Sequence, residues 1–162
     1  SYAEVENAQA NVDTQLQRRY DLIPNVVAAV KGAMEHEEEI FTAIAEARAK
    51  IGSSQQGTGE YNQAQSQLDS AVSRLLVVAE NYPQLTANQQ VSDLITELEG
   101  TENRILVARK DYNAVATSYN KKIKRSPTSV YAGLFGYEKV ELFQATNDAA
   151  TTVPSVDLSD EE

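Results

Sequence analysis

The chain contains no cysteine and a single histidine. The first absence excludes disulfide frameworks, cysteine-bound zinc and thiol chemistry, while leaving the compartment open. The second leaves no persuasive catalytic triad, although serine and threonine are plentiful, and neither a Gly-rich phosphate loop nor a nucleophile elbow occurs. Glycine and proline are scarce, at 7 and 4 in 162 residues, which points to helices rather than sheets. No stretch reaches the roughly 18 apolar residues of a membrane span, and no signal peptide is visible. Positive charge is also short: 14 Lys and Arg stand against 24 Asp and Glu, a net charge of -10. A duplex nucleic-acid partner is therefore not expected, because phosphate binding needs a cationic field.

What is present suits one domain with a continuous core, since 41% of residues are hydrophobic. Charge is uneven along the chain. Residues 1–52 carry 9 acids and 5 bases, 53–100 carry 6 and 1, 101–143 carry 4 and 8, and 144–162 carry 5 and none. The basic centre is "KKIKR", Lys121 to Arg125, at the end of a predicted helix, where cations complement the macrodipole.

Three helical blocks are predicted. In the first, from about residue 2 to 51, Val5, Val12, Leu16, Ile23, Val27, Val30, Met34, Phe41 and Ile44 form one stripe. A second block, about 59 to 81, puts Tyr61, Leu68, Val72, Leu75, Ala79 and Tyr82 on one face, and its "LLVVA" run suggests burial on more than one side. Pro83 is read as the stop, with Thr86 and Gln89 as a capping box. The third, about 87 to 125, repeats Val91, Leu94, Leu98, Thr101, Ile105, Ala108, Tyr112, Val115 and Tyr119 like a coiled-coil seam interrupted at Thr101.

Helices with one apolar stripe must bury it against each other. The expected fold is therefore all-α, an elongated up-and-down helical bundle resembling a four-helix bundle. The second block is too short to cover the first. Either the first helix breaks at Pro24, or later residues fold back as a cover. "DLIPN" has no glycine to reverse the chain, so a kink in one long helix is favoured. Residues 1–143 are assigned to the bundle and 144–162 to an acidic, extended or disordered tail.

Few residues suggest chemistry. His36 lies among Glu35, Glu37, Glu38 and Glu39, and pairs at helical spacing could hold a metal weakly. A carboxylate-bridged dimetal bundle needs two Glu-x-x-His motifs, whereas this chain has one histidine in the reverse order. No metal, cofactor or catalytic residue is assigned, and the chain is not read as an enzyme. Continuing the first stripe from Leu16 to Ile23 passes through Arg19 or Tyr20, putting a long polar side chain at the edge of the core. Arg18, Arg19 and Arg104 are natural partners for Glu99 and Glu102 in interhelical charge pairs. Tyr131, Phe135 and Tyr137 fall in an aromatic stretch that either closes the bundle or forms a surface for a partner.

The blocks "VENAQANVDTQLQRRYDLIPNVVAAVKG", "ELEGTENRILVARKDYNAVATSYNKKI" and "AGLFGY" resemble those of the bacterial LemA family, in order and spacing. The resemblance covers about residues 4 to 143 and implies a helical bundle tethered to the bacterial cell membrane by one N-terminal transmembrane helix upstream of Ser1. The family carries no established molecular function. Combined with the periodicity, it suggests a scaffold or adaptor for an unidentified protein partner, with Lys121–Arg125 and the aromatic stretch at the end far from the membrane. Two rivals remain: a metal-binding or enzymatic bundle using Glu99, Glu102 and His36, and a binder of anionic membrane surfaces through "KKIKR".

Overall fold

The computed structural model describes residues 1–125 and 140–143. Five helices run in order: α1 Tyr2–Val30, α2 Glu38–Ser53, α3 Gly59–Ala79, α4 Pro83–Ala87 and α5 Gln89–Lys124. Among the described residues there is no strand, and the fold is an all-α helical bundle. The 144–162 tail and the aromatic stretch containing Tyr131, Phe135 and Tyr137 lie outside the described residues.

The first predicted helix divides in two, but not at Pro24. Helix α1 continues through this residue to Val30, and Pro24 faces solvent. The chain leaves the helix at Lys31–Glu37, in a run of turns closed by Ala33 N–H and Met34 N–H donating to Val30 O, each at 3.1 Å. Gly32 is exposed, with no atom within 4 Å of the place a Cβ would take. Met34 is buried and pins the turn to the core. The glutamates that follow open a new helix, Glu38 and Glu39 occupying the first turn of α2, where negative charge meets the positive end of the macrodipole.

Two further boundaries differ from expectation. Pro83 begins α4 rather than ending α3, because its missing N–H costs nothing at a first helical position. Thr86 lies inside α4 and its hydroxyl donates to Pro83 O at 3.0 Å. The start of α5 is held by Asn88, whose Oδ1 accepts from Gln90 N–H at 3.0 Å and Val91 N–H at 3.3 Å. Asparagine is among the best N-cap residues.

The described residues form two compact units. The first joins Ser1–Gln17 with residues 103–125 and 140–143, and the second comprises Arg18–Glu102; α1 and α5 contribute to both. In the second unit α2 packs on α3, burying Ile40, Ile44 and Ala47 with Leu68, Val72 and Leu75. In the "LLVVA" run Leu75 and Ala79 are buried, Leu76 and Val78 pack partly buried against the core, and only Val77 stands out, at 64% exposure. In the first unit Val5, Val12 and Leu16 of α1 and Ile105, Ala108, Ala116 and Tyr119 of α5 are buried.

Also in the first unit, the Tyr2 and Tyr119 rings meet at 5.5 Å between centroids. The C-terminal end of α5, with Lys121, Lys122 and Lys124 in its last turn, therefore lies by the start of the chain, not far from it.

Candidate functional site

Arg19 is the largest fully buried side chain, at 0% exposure. It occupies the stripe position between Leu16 and Ile23 and lies inside the core rather than at its edge. Its Nη1 donates to Asp69 Oδ1 of α3, and to Glu102 Oε1 and Oε2 of α5 at 3.2 and 3.3 Å. Its Nη2 donates to Gln65 Oε1 at 2.7 Å, with Gln65 O at 3.4 Å. Gln65 and Asp69 stand one helical turn apart on α3, so both face the guanidinium. One cation thus binds α1, α3 and α5 within the second unit.

Burial alone pulls the Arg19 pKa down. The Glu102 and Asp69 carboxylates more than reverse this, and the guanidinium is held above its ordinary value. Asp69 is 2% exposed and Glu102 keeps 16% of its side chain in contact with solvent, so Glu102 is the carboxylate that water reaches. Beside it Thr101 is buried, and its hydroxyl donates to Glu97 O at 2.8 Å, which satisfies the polar interruption in the seam within its own helix.

The other sequence-selected residues lie at the surface. Arg18, Glu99 and Arg104 are exposed. His36 and Glu35 are exposed in the turn between α1 and α2, so they share no helical face with Glu39. Among the described residues no group of three or more His, Asp or Glu is placed to hold a metal ion. Asp69 and Gln65, which complete the cluster, were not singled out by sequence; their signal is a pair of polar residues at helical spacing flanking Leu68 in an otherwise apolar face.

A second polar arrangement lies in the first unit. Asn113 and Asn120 of α5, both half-buried, hydrogen-bond the main chain of residues 140–143. Tyr112 Oη donates to Glu141 O at 3.1 Å. Burial raises the Tyr112 pKa above its usual value, with Tyr2 and the Glu141 carboxylate adding to the effect.

These features define an all-α helical protein whose second unit is organised around a buried guanidinium. The chain belongs to the LemA family, matching it over residues 8–158. It is 26% identical over 155 residues to Protein LemA of Metamycoplasma hominis, covering 96% of this chain and 71% of that protein. It is 28% identical over 161 residues to Magnetosome protein MamQ 2 of Paramagnetospirillum magneticum, covering 84% of this chain and 59% of the relative. Magnetosome protein MamQ of Magnetospirillum gryphiswaldense is 26% identical over 167 residues, with 88% and 61% covered. The chain thus spans about three fifths of the magnetosome relatives' length. Among the described residues no helix is long and apolar enough to cross a membrane.

Proposed function

We propose that this chain is the folded part of a membrane-anchored, non-catalytic helical scaffold that presents a surface to a protein partner. The observation that carries this reading is the Arg19 cluster. Catalytic carboxylates need an accessible substrate and a tuned proton affinity; here Asp69 and Glu102 are tied to a fixed cation that joins three helices. Such a pair specifies which helices meet, and in which register, more than it adds stability. Membrane attachment is supported by the family resemblance, which implies an anchor preceding Ser1. With Tyr2 against Tyr119, an anchor there would hold the basic end of α5 near the bilayer surface. Tyr131, Phe135 and Tyr137 are the proposed partner surface.

The test is photo-crosslinking of the natural full-length protein in bacterial membranes, with probes at Tyr131 or Tyr137. Extraction that requires detergent, and a crosslinked protein lost when those rings become alanine, are expected. Release by salt alone would overturn the anchor. Stabilisation of the purified chain by a divalent metal would instead support a metal-binding bundle, because a ligand specific to the folded state raises the melting temperature.

A further inference from the structure

The dipeptide Tyr-Asn occurs twice on α5, as Tyr112-Asn113 and Tyr119-Asn120, seven residues apart. Seven residues are nearly two helical turns, so the asparagines share one face about 10.5 Å apart along the axis. Each closes a two-bond ring with one residue of the 140–143 segment. Asn120 Nδ2 donates to Val140 O at 3.0 Å, and Val140 N–H donates to Asn120 Oδ1 at 2.8 Å. Asn113 Nδ2 donates to Phe143 O at 2.9 Å, and Phe143 N–H donates to Asn113 Oδ1 at 2.8 Å. Paired residues of an antiparallel ladder exchange N–H and C=O in the same way. Each asparagine therefore acts as a strand neighbour built from a side-chain amide.

The spacing fits an extended ligand. Three residues of extended chain cover about 9 to 10 Å, close to the separation of the two amides. A chain with three residues per turn presents the polar groups of residues i and i+3 on one side, as Val140 and Phe143 require. All five hydrogen bonds made by Tyr112, Asn113 and Asn120 to this segment end on its main chain. One side chain is also read: the Phe143 ring meets Tyr112 edge-on at 5.1 Å and 65°, with the Arg109 guanidinium 5.7 Å from its centroid.

We propose that Asn113, Asn120, Tyr112 and Arg109 form a docking groove for an extended peptide of a partner protein, one with an aromatic residue three positions after the first clamped residue. The chain's own Val140–Phe143 is the resident occupant. Main-chain recognition plus one aromatic contact is met by any peptide of this form, so the groove sets a pattern rather than a unique sequence. The tethered segment competes at high effective concentration and lowers the apparent affinity of an incoming peptide. The inference rests on the adaptor reading for the ligand's being a partner protein and goes beyond it, adding Arg109, Tyr112, Asn113 and Asn120 to the residues proposed to meet a partner.

The probe is a fluorescent synthetic peptide reproducing residues 138–145. The full chain carrying Val140→Pro and Phe143→Ala loses one clamped N–H and the ring, which weakens the resident segment's hold on the groove. This variant is expected to bind the peptide roughly tenfold or more tightly than wild type. Binding is expected to vanish with Asn113→Ala and Asn120→Ala, and with a peptide N-methylated at the positions of Val140 and Phe143. A folded variant that does not bind, or binding indifferent to N-methylation, would overturn the groove. Should the variant not fold, excess peptide is added to wild type and hydrogen exchange at Val140 and Phe143 is followed. Lost protection is expected, and unchanged protection counts against the proposal. Failure of the groove leaves the membrane crosslinking result standing, so the two readings fail separately.

Discussion

Arg19 and Asp69 form an ion pair across fifty residues of sequence, with both side chains withdrawn from solvent. A lone buried charge is costly, so each makes the other tolerable. Arginine suits the position because its planar fork serves Asp69, Glu102 and Gln65 together, whereas lysine offers a compact point charge. Arg19→Lys is therefore expected to fold with stability reduced by about 1 to 3 kcal/mol, read by urea denaturation. Wild-type stability in that variant would show that the fork geometry is irrelevant.

Pro24 removes one backbone donor from an exposed position of a helix that nevertheless continues through it. Pro24→Ala restores the donor and relieves crowding of the carbonyl four residues earlier. Its expected effect is greater helicity by circular dichroism and a gain of up to about 3 kcal/mol. A clear loss of stability would mean that the bundle depends on the distortion.

The glycines separate into two kinds. Gly57 has φ +85°, which an L side chain rarely adopts, whereas Gly32 has an ordinary φ and open space around it. Gly32→Ala is expected to raise stability by about 0.4 to 1 kcal/mol by restricting the unfolded chain, while Gly57→Ala lowers it by more than that. Thermal melts of the two variants in parallel check the opposite signs.

Tyr112 supplies a pH dependence. Its folded-state pKa is raised above the unfolded value of about 10, so the folded state holds the phenol proton more tightly. Its stabilising contribution is fully present below pH 10 and is lost as pH rises through the raised value. The stability advantage of wild type over Tyr112→Phe, about 1 kcal/mol at neutral pH from the Glu141 hydrogen bond, is expected to shrink above pH 10. A constant difference across that range would refute the shift.

Helix content and most of the buried stripe were legible because burial follows the 3.6-residue period: Val5, Val12, Leu16, Ile23, Val30 and Met34 are all buried. The continuity favoured for the first block holds through Pro24, which α1 carries on its solvent side, but the break at residues 31–37 was missed because a single glycine, Gly32, is a weak local signal. The row of glutamates at 37–39, placed inside one long helix, was the start signal of α2. An arginine on the stripe could be found by periodicity. Its partners on α3 could not, since periodicity identifies a buried face without saying which faces meet. The repeated Tyr-Asn dipeptide was visible in the sequence, but the main-chain atoms it holds belong to a segment without helical periodicity, so nothing local revealed its purpose.

The most direct measurement compares denaturant unfolding of Arg19→Met with that of Arg19→Met combined with Asp69→Leu and Glu102→Gln. If the carboxylates serve the fold through Arg19, the single change costs about 3 to 5 kcal/mol, because the buried Asp69 carboxylate loses its cation, and the combined change recovers most of the loss. A single variant as stable as wild type, folded with both carboxylates released, would contradict a structural role and return Asp69 and Glu102 to consideration as chemical groups.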